Sequence, residues 1–236
     1  MIFHGLKVFV ICPETTQREK LIDFLRRNEF LAFGINSWKD EDIKIYTDSI
    51  IFTDLDSVDA DELAAMKNSL KEKEIKCVLA GFGSKADYGE TASDFKIIID
   101  TSENGFFETM LDFLNRNHAQ GQRHYIRFGG TNASIATFVF HWKGKRYAGI
   151  IHDISAAGIS CEFKPDPGEL DDNNVKKLII NLPGREIEVS GRFSGTRDFS
   201  GRKIHIFLFS EDTMEKVNRE IHDFIFSSLK IKYLIK

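Results

Sequence analysis

The chain is 236 residues long, 42% apolar and 29% charged, with a formal net charge of −4. That length suits two domains of ordinary size, and the balance is that of a soluble globular protein. The charge is uneven: residues 1–119 carry 14 Lys and Arg against 22 Asp and Glu, whereas residues 120–236 carry 18 against 14. Neither half has the dense basic stripe of a DNA binder, so no long nucleic acid is expected as a partner; the mildly basic half can hold a small anion.

The first half alternates apolar runs with helical patterns. KVFVIC (7–12) reads as a buried strand. TTQREKLIDFLRRNEF (15–30) reads as a helix with Leu21, Ile22 and Leu25 on one face and a threonine as N-cap. LAFGI (31–35) and SIIFTDL (49–55) read as the second and third strands. The segment at 59–75 begins with acidic residues and ends with lysines, as the helix dipole favours. KCVLAG (76–81) and FKIIID (95–100) are further strands, and 104–117 is a closing helix with Phe107, Met110, Leu111 and Leu114 on one face. Strands separated by helices imply parallel crossovers, so a doubly wound α/β domain is expected over 1–117.

The polar stretch 118–122, which includes Gly121, reads as a linker. Beyond it, six strand-like segments follow closely at 135–142, 146–154, 158–163, 176–182, 185–193 and 203–209, parted by Gly, Pro, Asn and Asp clusters. That density predicts a small six-stranded antiparallel barrel. Ser210 then caps a final helix in which Met214, Val217, Ile221, Phe224 and Ile225 recur at helical spacing. The second domain is expected over 123–236.

Cys12, Cys77 and Cys161 are isolated, so neither a zinc site nor a disulfide framework is indicated, and the thiols fit a reducing cytoplasm. The first apolar run, VFVIC, is too short for a signal peptide or a membrane span, and no later run is long enough; no membrane insertion is expected. No Walker loop, GxSxG elbow or HExxH occurs. The expectation is therefore a protein that is not an enzyme and needs no cofactor and no metal.

Two motifs carry chemistry. RHYIR (123–127) sets Arg123 and Arg127 four apart, and twenty-six positions beyond Arg127 begins DISAAG (153–158). Residues four apart lie on one side of an extended segment, about 13 Å apart, or within about 6 Å on a helical turn. Either way two permanently charged forks can face one ligand. Guanidinium suits a phosphate, and equally the O6/N7 edge of guanine. Asp153 and Ser155 share a strand face, and a carboxylate is a natural acceptor for the N–H groups on guanine's other edge. Gly158 frees the turn and admits a ligand to the main chain. The set fits a guanine nucleotide with phosphates.

With those residues in place, 120 to about 228 resembles a PilZ domain, the bacterial cyclic di-GMP receptor module, whose signature is RxxxR followed after twenty to thirty residues by (D/N)xSxxG. The resemblance implies a cytoplasmic, bacterial second-messenger receptor with cyclic di-GMP as ligand, of a kind tied to motility and biofilm formation. Arg123 and Arg127 would clamp phosphates and guanine, and Asp153, Ser155 and Gly158 would hold the other face. Gln122 and His124 are further candidate ligand residues. Gln122 stands where many members carry a third arginine, which implies one ligand per chain. A downstream protein partner, not named by the sequence, would read a ligand-driven rearrangement of the domains.

The first half resembles a response-regulator receiver. Asp54, in IIFTDLD (50–56), stands at the phosphoacceptor place. Of the acidic pair after strand one only Glu14 remains, Gly81 best matches the Thr or Ser after strand four, and no lysine follows strand five. That pattern implies a degenerate receiver used for contacts, with a phosphorylatable regulator and a ligand-free interaction module as the alternatives.

Overall fold

The computed structural model describes residues 5–84, 93–102, 104–120, 124–130, 135–168, 170 and 176–234. The chain divides into two units, built mainly of residues 3–124 and 125–232.

In the first unit, β1 (Lys7–Ile11), β2 (Leu31–Ile35), β3 (Ser49–Asp54), β4 (Cys77–Gly83) and β5 (Ile98–Asp100) form one sheet in the order β2-β1-β3-β4-β5. Every pairing is parallel. This is the order of the flavodoxin-like doubly wound sheets, the receiver fold among them. The runs KVFVI and SIIFTD are buried almost throughout because both sheet faces are covered. Helix α1 (Thr16–Arg27) starts where Thr15 accepts a hydrogen bond from the Arg18 N–H at 3.2 Å. Its Leu21, Ile22 and Leu25 join Met110 and Leu114 of α3 (Phe106–Arg116) over Val8, Val10, Ile50 and Phe52. The alternate strand residues Phe9, Phe33 and Ile51 face the other way, and the Tyr46 ring meets Phe9 edge-on at 4.9 Å. Helix α2 (Ala60–Glu72) is capped by Asp59 and buries Leu63, Met66 and Leu70.

Two expectations need correction here. Phe107 does not share the buried face of α3: it is 39% exposed and lies against Phe24, with Phe106 and Phe113 packed on the core instead. Strand β4 also runs two residues further than its apolar pattern suggests, to Gly83, because Gly81 and Gly83 pair with Ile98 and Asp100 of β5. Between β2 and β3 the chain makes two short 3-10 turns, Trp38–Asp40 and Ile43–Tyr46. After α3, Ala119 is still in the core of this unit, and the Gln120 side chain donates to the Asn28 carbonyl at 2.6 Å.

The second unit is a closed antiparallel barrel. Its strands are β6 (Arg127–Gly129), β7 (Ala136–Trp142), β8 (Lys145–Ser155), β9 (Gly158–Phe163), β10 (Lys176–Leu182), β11 (Arg185–Phe199) and β12 (Arg202–Phe209). The sheet runs β6-β8-β7-β10-β11-β12-β9, and β9 pairs again with β8. Six strands therefore close the barrel, as expected, and the three-residue β6 is an added seventh on β8. Phe138, Phe140, Phe163, Phe193 and Phe207 fill the interior, with ring centroids 4.9–5.8 Å apart along the cluster. Helix α4 (Glu211–Leu234) buries Val217, Ile221, Phe224 and Ile225, and Phe224 meets Phe128 edge-on at 5.8 Å.

Candidate functional site

Strand register brings the two motifs together. On β6 and β8, Arg127 pairs with Ser155 and Gly129 with Asp153. On β8 and β9, Asp153 pairs with Ser160 and Ser155 with Gly158. Residues far apart in sequence thus meet at one end of β8. Arg127 reaches Asp153 with Nη1 3.7 Å from Oδ1; the arginine side chain is 42% exposed and the aspartate 11%. Arg127 Nε is buried and makes no hydrogen bond among the described residues. A part-exposed guanidinium held beside a carboxylate only at ion-pair distance is suited to receive an anion.

The other motif residues serve the turn as well as the site. Ser155, 3% exposed, donates its hydroxyl to the Gly158 carbonyl at 3.3 Å. At Gly158 a side chain is excluded, since a Cβ there would lie 2.3 Å from the Phe207 carbonyl oxygen. Gly129 is held the same way: a Cβ would fall 2.1 Å from the His152 carbonyl oxygen, and Gly130 N–H donates to that same oxygen at 2.7 Å. Gly129, directly after Phe128, is what lets β6 lie this close to β8. His124 is exposed. Gln122 and Arg123 lie outside the described residues.

Three participants were not visible in the motifs. Ser160 donates to Asp153 Oδ2 at 2.6 Å, with both side chains buried. His152, 1% exposed, sits 3.1 Å from Glu162, which also lies 3.8 Å from Arg202; this places the histidine in packing behind the site. Cys161 is fully buried beside Asp153, and burial first, then that carboxylate, pushes its thiol up. Ser160 could have been found from the register alone, since it lies opposite Asp153 two pairs on from Ser155–Gly158 across the tight β8–β9 turn.

In the first unit, Asp54 ends β3, and its Oδ1 accepts the Asp56 N–H at 3.0 Å. Glu14 is exposed and lies 3.7 Å from Arg18. The Arg18 guanidinium is itself buried, donating to the Cys12 carbonyl at 3.0 Å and to Asn36 at 2.5 Å. Burial pushes the Cys12 thiol up to about 12. Because β4 extends to Gly83, the residue following the strand is Ser84 and not Gly81. Ser84 donates both its N–H and its hydroxyl to Asp56, at 2.6 and 2.9 Å.

No protein-family model matches the sequence. No curated protein matches it either. Among solved structures, the PilZ domain with c-di-GMP of YcgR from Escherichia coli is 13% identical with a TM-score of 0.38, over 47% of this chain and 96% of that one. MotI/DgrA, an inhibitor of motility from Bacillus subtilis, is 20% identical with a TM-score of 0.39, over 47% of this chain and 53% of that one. The c-di-GMP complex of K. pneumonia MrkH is 19% identical with a TM-score of 0.38, over 46% of this chain and 55% of that one. The chain thus spans only about half the length of MotI and MrkH.

Proposed function

We propose that the barrel is a receptor for cyclic di-GMP and that the protein acts by binding, not by catalysis. The observation that carries this reading is the register that sets Arg127 opposite Ser155 and against Asp153. An exposed guanidinium and a fixed carboxylate on one strand pair are complementary to a base whose two edges present acceptors and donors respectively. In this reading Arg127 and Arg123 take phosphate and the O6/N7 edge, Asp153 takes the N–H edge, and Ser155 and Gly158 hold the turn open to the ligand. Gln122 and His124 stand beside Arg123 as further ligand residues.

Calorimetry on the full chain tests it. Saturable binding of cyclic di-GMP at about one per chain is expected, because Gln122 offers no third permanent cation for a stacked ligand pair. Cyclic di-AMP should bind far more weakly, since a hydrogen-bonding site rejects a ligand that leaves its groups unpaired. Equal affinity for the two would refute the reading.

The unit boundaries we favour are 1–117 and 123–236, joined by 118–122, of which Ala119 and Gln120 pack on the first unit, within a cytoplasmic protein. Closure of two arginines on the ligand would order the approach to β6 and bias how the two units are held, which a downstream protein partner would read. Hydrogen exchange over 118–130 with and without ligand, together with small-angle scattering, tests that step; identical results in both states would leave only the ligand-covered barrel surface to signal.

A second reading, phosphotransfer to Asp54, draws on its place at the end of β3 and on Ser84 following β4. We expect it to fail. Glu14 alone remains of an acidic pair and faces Arg18, so the divalent-ion site that would neutralise a transferring phosphoryl group is incomplete. A small phosphodonor with Mg²⁺ should leave the intact mass unchanged; an added phosphoryl group mapped to Asp54 would establish this second reading.

A further inference from the structure

We propose that Ser160 is a positioning residue that sets base specificity: it fixes the Asp153 carboxylate in the plane that tells guanine from a base without the 2-amino group. The inference rests on reading the barrel as a guanine-nucleotide receptor.

A carboxylate turns easily about its last bond, because torsions of that kind have broad minima. It accepts two neighbouring N–H donors well only when its plane matches theirs. Guanine presents such a pair, the ring N1–H and the exocyclic amino group; hypoxanthine keeps the first and lacks the second. Rotation of the carboxylate is therefore what decides whether the amino group is recognised.

The barrel restrains that rotation. Ser160 Oγ donates to Oδ2 at 2.6 Å from a side chain 1% exposed, and Arg127 lies 3.7 Å from Oδ1. Ser160 is held in turn by its strands: β9 pairs with β8 on one side, Asp153 opposite Ser160, and with β12 on the other, Ile206 opposite Ser160. A register shift lies between Ile151 and Asp153. Counting on from the Ile151–Cys161 pair without that shift, His152 would face Ser160. Counted from the turn, Asp153 stands opposite Ser160 two pairs on from Ser155–Gly158, and the extra residue, His152, turns instead to Glu162 at 3.1 Å. Re-aiming a side chain beside a site is a recurrent use of a bulge. Each oxygen keeps a lone pair for an incoming donor, so Ser160 orients the carboxylate without saturating it.

Calorimetry on the full-length protein compares cyclic di-GMP with its hypoxanthine counterpart, cyclic di-IMP. For Ser160→Ala we expect cyclic di-GMP affinity to fall about tenfold, the usual scale for a hydrogen bond to a charged group. Cyclic di-IMP affinity should change much less, so the preference between the two ligands collapses. Ser160→Thr, which keeps the hydroxyl, should restore the preference. If Ser160→Ala does not fold, Ser160→Cys, whose thiol is only a weak donor, carries the same expectation. Parallel losses for both ligands would mean that Ser160 merely supports the barrel, and an unchanged preference would mean that it does nothing for specificity; either overturns the proposal while the receptor reading stands. An unaltered protein that binds neither ligand overturns the receptor reading, and this proposal with it.

Discussion

Arg127→Ala should weaken cyclic di-GMP binding by about tenfold to a hundredfold, the loss of one charge-assisted contact, while the barrel stays folded. The position of Arg127 explains both halves of that expectation. Its backbone belongs to β6, whose pairing with β8 is made by main-chain atoms and survives truncation of the side chain. Phe128, the next residue, still packs on Phe224. What disappears is the exposed fork and its contact with Asp153. The carboxylate keeps Ser160, so it is not left bare. Arg127→Lys separates charge from shape: a lysine restores the cation but cannot make a planar, two-pronged contact, so it should recover only part of the affinity. Calorimetry gives the affinity and circular dichroism the melting temperature. An alanine variant that binds as the unaltered protein does would show that the arginine pair plays no part in recognition.

The sequence made some levels of this structure plain and concealed others, for physical reasons. LAFGI coincides with β2 because a parallel strand covered on both faces must be apolar nearly throughout. Helix α1 was legible from its cap and from the period of Leu21, Ile22 and Leu25. By contrast, β11 continues six residues past Phe193 to Phe199, through SGTRDF. That segment is polar and carries Gly195, and it looks like a turn. It pairs with β12 through a bulge between Phe193 and Gly195, so main-chain pairing with β12, not an apolar pattern, makes it a strand. The end of β4 was hidden in the same way, which is why Ser84 was passed over for Gly81. At the site, the motif spacing named Arg127, Asp153, Ser155 and Gly158. Ser160 lay beyond it because the motif ends at Gly158, and Ser160 joins the site only once the tight β8–β9 turn is folded and sets it opposite Asp153.

Gly158→Ala should destabilise the barrel by about 3 kcal/mol or more, at the upper end for forcing an added group into a filled space. The glycine opens β9 directly after the β8–β9 turn, and it pairs with Leu208 of β12. A methyl carbon there would sit 2.3 Å from the Phe207 carbonyl oxygen and 3.2 Å from the Leu208 Cα. Both are backbone atoms, so neither can swing aside as a side chain would. Relief requires β9 and β12 to part, and that pairing is one of the seams that close the barrel. The nearby Phe209 N–H bond to the Ala157 carbonyl, 3.0 Å long, would be strained by the same movement. Gly144→Ala is the matched control. Its φ is +73°, but nothing lies within 4 Å of the added carbon, so it should cost only the backbone penalty of about 1–2 kcal/mol. Because the chain has two units, a single melting curve need not follow the barrel. A Trp38→Phe background leaves Trp142 of β7 as the reporter, and its fluorescence follows the barrel alone. In that background Gly158→Ala should lower the midpoint by about 10 °C or more, and Gly144→Ala by clearly less. Cyclic di-GMP affinity should fall with the first substitution and hold with the second, since Ser155 is tied to the Gly158 carbonyl and moves with β9. If Gly158→Ala melts together with the unaltered protein, β9 and β12 do not approach as closely as the Gly158–Leu208 pairing requires, and the turn that presents Asp153 and Ser155 must be held in some other way.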